Sequence, residues 1–177
     1  VKGSLADKWN LDTKINAPGL DGILPGLGGV IIGDVKLRGD LDAPEVQADL
    51  TARGVRWQKD LSIDNAVIKG KVTSGEQIKG DLSVVVRQLK QADLVISQLT
   101  LDANGSEKKH TVKLDVKGEP VSGRLTLAGG FDRQTETWKG NLSNTLFETP
   151  VGEWQLSKVM ALDYANQTQE VTIGTHC

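Results

Sequence analysis

One five-residue phrase, written six times, constrains this chain more than anything else in it. It consists of an apolar residue, a polar one, glycine, another polar one, then Leu or Val. The copies are Val1-Lys2-Gly3-Ser4-Leu5, Leu37-Arg38-Gly39-Asp40-Leu41, Ile68-Lys69-Gly70-Lys71-Val72, Ile78-Lys79-Gly80-Asp81-Leu82, Val121-Ser122-Gly123-Arg124-Leu125 and Trp138-Lys139-Gly140-Asn141-Leu142. In every copy glycine shares the apolar phase and the polar residues take the other. A period of two marks a half-buried β-strand. Each copy therefore predicts a strand with one apolar face and a glycine on that face.

The alternation extends well beyond the six copies. Ile31, Gly33, Val35, Leu37, Gly39 and Leu41 share one phase, and Asp34, Lys36, Arg38 and Asp40 take the other. Val46 to Ala52, Ala66 to Val72, Ile78 to Val86, His110 to Gly118 and Val121 to Phe131 behave alike, and Trp138 to Leu142 and Val171 to Ile173 complete the set. Turn chemistry separates the runs: Asp42-Ala43-Pro44, Ser74-Gly75-Glu76 and Glu119-Pro120. Asn104-Gly105 predicts a hairpin turn that needs positive φ. The phase slips at Gly54-Val55-Arg56-Trp57, which predicts a bulge. Leu89, Ala92, Ile96 and Leu99 fall at helical spacing, but the run Leu94-Val95-Ile96 favours strand. A second phrase recurs at Leu61-Ser62-Ile63-Asp64, Leu99-Thr100-Leu101-Asp102 and Met160-Ala161-Leu162-Asp163, each expected just ahead of a polar turn. Residues 18–29 read PGLDGILPGLGG, an apolar loop too rich in glycine for a stable helix.

A one-sided sheet must bury its apolar face against something, and the chain offers no helix of adequate length as a cover. Three solutions remain: two sheets packed as a β-sandwich, a closed barrel, or a curved sheet holding a foreign apolar ligand. Only 4% of residues are aromatic, whereas a sandwich core is filled by large interdigitating side chains. Glycines on the inner phase leave room and permit curvature. These features favour a narrow trough or channel over a solid core, although glycines also let two backbones approach closely.

Charge and cysteine usage exclude other classes. A net charge of −2 with interspersed signs gives no footprint for nucleic acid. No run approaches the roughly 20 apolar residues of a membrane helix. The one cysteine, Cys177, has no internal disulfide partner. His176-Cys177 lacks the four ligands of a structural zinc site, so no metal and no cofactor are expected. No carboxylate pair or nucleophile constellation emerges, so the chain is not read as an enzyme. Gly26-Leu27-Gly28-Gly29 lacks the Lys of a phosphate loop. Arg38-Gly39-Asp40 spells a recognition tripeptide, but inside a strand rather than on a loop. His110 shares a phase with Val112 and Leu114 and is expected at the rim, beside the Asn104-Gly105 turn.

The repeated Gly-x-Leu strands, the Leu-x-Leu-Asp phrases, the missing helices and the ending Ile173-Gly174-Thr175-His176-Cys177 resemble the C-terminal region of the TamB family, among the AsmA-like and bridge-type lipid-transfer proteins. The resemblance covers the whole chain. It implies an all-β fold: a curved, mainly antiparallel sheet folded into an open, taco-like trough with an apolar concave face. It also implies a periplasmic segment of an inner-membrane-anchored Gram-negative protein in a translocation and assembly module. The implied outer-membrane partner is TamA, contacted beyond Cys177. The implied cargo is phospholipid or nascent outer-membrane β-barrel protein, autotransporters included, in outer-membrane biogenesis.

The expectation is therefore one β-rich segment, 1–177, cut from a longer repetitive protein. Its hydrophobic groove is lined by Leu37, Leu41, Leu50, Ile68, Val72, Ile78, Leu82, Val84, Val112, Leu114, Leu125, Leu127 and Leu142. Leu20, Ile23, Leu24 and Leu27 form a gate loop at its mouth. The alternative is a self-contained β-sandwich serving adhesion, carbohydrate binding or spacing.

Overall fold

The computed structural model describes residues 2–4, 8–22, 24–58 and 60–174. These residues form strands β1 (Lys2–Ser4), β2 (Lys8–Ala17), β3 (Leu27–Asp40), β4 (Pro44–Trp57), β5 (Leu61–Thr73), β6 (Lys79–Gln91), β7 (Leu94–Ser106), β8 (Lys109–Glu119), β9 (Ser122–Asp132), β10 (Thr137–Thr149), β11 (Gly152–Gln155), β12 (Met160–Ala165) and β13 (Glu170–Ile173). No helix occurs among the described residues.

All thirteen strands belong to one antiparallel sheet, ordered β1 to β10 along the chain and then β12 and β13. The outer edge of β10 is shared: β12 pairs with Thr137–Leu142 and β11 with Leu146–Thr149. The sheet is open and curved, with β1 at one end and β13 at the other. The sandwich alternative is thereby set aside. Each hairpin lays its second strand beside its first, so no connection carries the chain to a second layer. Burial agrees: only Leu20, Ala66 and Ile96 are buried among the hydrophobic residues described, where a sandwich would bury a whole face.

The curvature has a local cause. Gly54, Asp64, Gln88 and Ser97 drop out of the pairing at adjacent points on β4, β5, β6 and β7, and Gly29 does so on β3. Gly29, Gly54 and Gln88 have positive φ. The register shifts at Gly28/Val30 and at Ile96/Gln98, where bulges bend a sheet and raise its twist, and between these two bulges the unpaired positions on β4 to β7 line up as a crease. The bulge expected at Gly54 is the first sign of it. The crease also explains the helix-like spacing of Ile96 and Leu99. Ala52 and Val55, Ile63 and Ala66, Val86 and Leu89, and Ile96 and Leu99 each stand three apart. In a regular strand that spacing would split each pair between opposite faces. Across the crease Val55, Ile63, Leu89 and Ile96 instead pair in one line and stay at least half-buried.

Gln88 holds φ 53° without being glycine, a conformation that costs a side chain about 1–2 kcal/mol. Gln88→Gly is expected to stabilise the fold by about 0.5–1 kcal/mol, and Gln88→Val to destabilise it. Urea unfolding midpoints check both. Equal midpoints for the two variants would remove the crease from β6.

Two turns differ from expectation. The β7–β8 turn falls at Glu107-Lys108, and Gly105 lies inside β7 opposite His110. Leu61–Asp64 and Leu99–Asp102 lie within β5 and β7 and precede no turn. Residues 27–29, expected in the apolar loop, belong to β3 instead, because Leu27 already pairs with Trp57.

Candidate functional site

Pairing register sorts the apolar residues into lines that run across the strands. One line is Ile15, Gly33, Leu50, Ile68, Val84, Leu101, Leu114 and Leu125, on β2 to β9. Beside it run Thr13, Val35, Ala48, Gly70, Leu82, Ala103, Val112, Leu127, Leu142 and Met160, reaching β12. On its far side run Ala17, Ile31, Ala52, Ala66, Val86, Leu99, Val116, Gly123, Phe147 and Trp154. A fourth line is Leu11, Leu37, Val46, Val72, Gly80, Gly105, His110, Gly129, Gly140, Leu162 and Ile173. Side chains alternate between faces along a strand, so all four lines share one face. That face is continuous over the sheet and nowhere interrupted by a charged residue.

Eleven of the thirteen expected groove residues lie on these lines: Leu50, Ile68, Val84, Leu114 and Leu125 on the first, Leu82, Val112, Leu127 and Leu142 on the second, Leu37 and Val72 on the fourth. The other two are not part of a strand. Leu41 follows β3, and Ile78 precedes β6 with its carbonyl accepting from Glu107 N–H at 2.8 Å. Both sit at the rim, 50% and 44% exposed. Leu82 and Val72 are open to a similar degree, so the face is accessible along its lines as well as at its edge. Of the gate-loop residues, Leu20 is 2% exposed and Leu24 51%, Leu27 begins β3 half-buried, and Ile23 lies outside the described residues. The loop is tied down where Gly26 C=O accepts from Gln58 N–H at 2.9 Å.

The opposite face is mostly polar and carries the charges, with Ile32, Val67 and Val85 among its apolar members. Lys69 meets Asp49 at 3.2 Å, Lys71 meets Glu45 at 2.9 Å, and Lys14 meets Asp34 at 3.8 Å. Arg38 of the recognition tripeptide donates to Asp12 at 2.6 Å and to Leu11 C=O at 2.7 Å, so it is engaged within the sheet. Exposed pairs of this kind contribute little energy, but cross-strand charges oppose register slips. A hollow of about 430 Å³ on this side is lined by Asp49, Lys69, Lys71, Asp81 and Asp102 among others, a mixture of signs. Another of about 1050 Å³ lies at the hairpin ends, around Glu76, Glu107, Lys108 and Arg133. The hydrogen bond from Arg133 to the Glu107 carboxylate, and then that group's charge, hold the guanidinium above its ordinary value. No cluster among the described residues is placed to hold a metal, and His176-Cys177 lie outside them.

The inner-phase glycines are not uniformly empty, which corrects the expectation that they leave room. A Cβ on Gly140 would stand 2.3 Å from the Trp138 ring, and one on Gly129 2.5 Å from it. A Cβ on Gly123 would stand 2.5 Å from the Phe147 ring, which stacks on Trp154 at 6.0 Å. Aromatic side chains thus lie over glycines on β9 and β10, and the aliphatic stretch is β3 to β8. Trp138, Phe147 and Trp154 did not stand out in the sequence as part of the site. The alternation placed Trp138 on the apolar phase, but its seat depends on register across two strands.

Comparison with known proteins decides the family. The model of a family described as "TamB, N-terminal domain" matches residues 1–177. This chain belongs to the TamB family. The translocation and assembly module subunit TamB of Haemophilus influenzae is 34% identical over 178 residues, covering all of this chain and 14% of that protein. An uncharacterized protein of Buchnera aphidicola is 20% identical over 172 residues, covering 97% of this chain and 18% of its own length. The chain thus spans under a fifth of either relative. No solved structure matches. The match corrects the expected C-terminal placement within TamB: the region is the N-terminal domain. The repeated phrase specifies a one-sided strand wherever it occurs, so it reports the kind of sheet and not the position along a long chain.

Proposed function

We propose that this chain is a non-catalytic segment of a TamB-type envelope protein whose apolar face shields hydrocarbon from water during outer-membrane biogenesis. The cargo is lipid acyl chains or the lipid-facing side of a nascent outer-membrane β-strand, moving between inner and outer membranes. The segment is periplasmic in a protein anchored in the inner membrane, and the partner protein is TamA, contacted outside this segment. No helix among the described residues is long and apolar enough to cross a membrane.

The observation that carries this reading is the set of apolar lines, continuous from β2 to β10 and left half-open by the chain itself. Exposed apolar surface on this scale marks an interaction site. Each buried methylene contributes about 0.8 kcal/mol, so a two-tailed lipid is held without a specific headgroup contact. Selectivity then falls on apolarity and width. The loop bearing Leu20 and Leu24 sits at one end of the face, where it gates entry.

Native mass spectrometry of the purified chain tests the reading. Phospholipid adducts are expected on the folded monomer, together with saturable binding of a fluorescent fatty acid. A monomer free of adducts that also fails to bind the probe would overturn it. Photo-crosslinkers at Leu82 and Leu114 separate the cargoes: lipid adducts mark passage of lipid, and protein adducts mark assembly of strands.

A further inference from the structure

We infer that Trp138, pinned by His110, is a fixed partition on the apolar face that limits the length of acyl chain the face accepts. The inference rests on the lipid-shielding reading above. Trp138 lies on β10, and its ring covers Gly140 on its own strand and Gly129 on β9. Its indole N–H donates to His110 Nε2 on β8 at 2.8 Å, with the rings 6.1 Å apart and tilted by 35°. Tryptophan Nε1 is only a donor, so His110 Nε2 accepts and the imidazole proton sits on Nδ1. That N–H has the Ser106 and Glu107 carbonyls in reach, at 3.0 and 3.2 Å. Both ring nitrogens of His110 are thereby committed, one to the β7–β8 turn and one to Trp138.

The consequence is mechanical. A large ring seated on bare backbone and held at its polar end does not swing as a lid does. The side-chain positions that would fill this part of the face, at 129 and 140, are glycines, and the one indole takes their place. Leu127 and Leu142 lie immediately beside it on the neighbouring line. An acyl chain lying along the fourth line toward β12 meets the indole over Gly129 and Gly140 and goes no further on that line. Removing the ring leaves two glycines and no replacement wall.

The test uses the 177-residue chain and fluorescent fatty acids of short and long chain. Trp138→Ala is expected to raise affinity for the long probe roughly tenfold, the gain from seating about two further methylenes, and to leave the short probe unchanged. Trp138→Phe keeps a ring over the glycines but loses the N–H that His110 holds, and is expected to shift the length preference in the same direction as Trp138→Ala, by a smaller factor. His110→Leu removes the acceptor together with the ring's bond to the β7–β8 turn, and is expected to shift the length preference in the same direction as Trp138→Ala by a smaller factor. A merely structural role for Trp138 would change both probes alike. Should Trp138→Ala fail to fold, His110→Leu carries the test, with acrylamide quenching of Trp138 in a chain whose other tryptophans are Phe; release from His110 is expected to increase quenching. Parent-like length preference in the folded variants would overturn the inference and leave the shielding reading standing. Failure of every chain, parent included, to bind either probe would overturn both.

Discussion

Replacing Leu82 and Leu125 with Asp is expected to weaken binding of a fluorescent fatty acid at least about a hundredfold while leaving the β-sheet circular dichroism intact. The two positions stand on adjacent lines of the apolar face, Leu82 on β6 and Leu125 on β9. Leu82 is 39% exposed and Leu125 half-buried. A carboxylate at either place keeps contact with water while the face is empty, so folding tolerates it. Cargo changes that balance, because seating hydrocarbon over the face strips water from both charges. An ionised group without a partner costs several kcal/mol to desolvate, and about 1.4 kcal/mol is a factor of ten in affinity. The expected loss is therefore at least about a hundredfold for the double variant, and smaller for each single one. Lys69→Ala, on the polar face and exposed beside Asp49, is the matched control and is expected to bind as the parent does. Parent-like affinity in the double variant would mean that hydrocarbon is held elsewhere.

What the sequence disclosed, and what it withheld, follows from the range of each interaction. Alternation is local, so the strands and their apolar phase were legible, as was the slip at Gly54, where a single strand shows the fault. The crease was not, because it exists only when β3 to β7 are set side by side. Viewed along one strand, its trace at Ile96 and Leu99 imitates a helix. Asn104-Gly105 misled for a related reason. Positive φ at Gly105 serves a close approach to the backbone of β8 rather than a reversal of the chain, and the reversal comes at Glu107-Lys108. Most of the groove residues emerged on shared lines because phase fixes the face. Leu41 and Ile78 fell to the rim because phase does not say where a strand ends. The seat of Trp138 and its bond to His110 join residues 28 apart in sequence, and they depend on the register of β8, β9 and β10 together. No pattern within one strand carries that information.

Gly105→Ala is expected to lower the melting temperature by about 10 °C, against a few degrees for Gly54→Ala. Both glycines have positive φ, but 57° at Gly54 lies in the left-handed region a side chain can enter, whereas 124° at Gly105 lies beyond it, so conformational preference already ranks Gly105 the costlier. The surroundings separate them further. A Cβ at Gly54 meets nothing within 4 Å, and its cost is the left-handed penalty of about 1–2 kcal/mol. A Cβ at Gly105 would stand 2.3 Å from the Lys109 carbonyl oxygen and 2.8 Å from His110 Cα. Those atoms belong to the backbone of β8, so relief requires the hairpin itself to open, at a further cost of about 1–3 kcal/mol. The damage also travels. His110 takes its orientation from the Ser106 and Glu107 carbonyls at that hairpin, and Trp138 takes its own from His110. In Gly105→Ala, acrylamide is therefore expected to quench Trp138 more strongly at temperatures well below the melt, whereas Gly54→Ala leaves that quenching unchanged. Equal melting temperatures for the two variants would contradict the close β7–β8 approach, and with it the frame that holds the indole over Gly129 and Gly140.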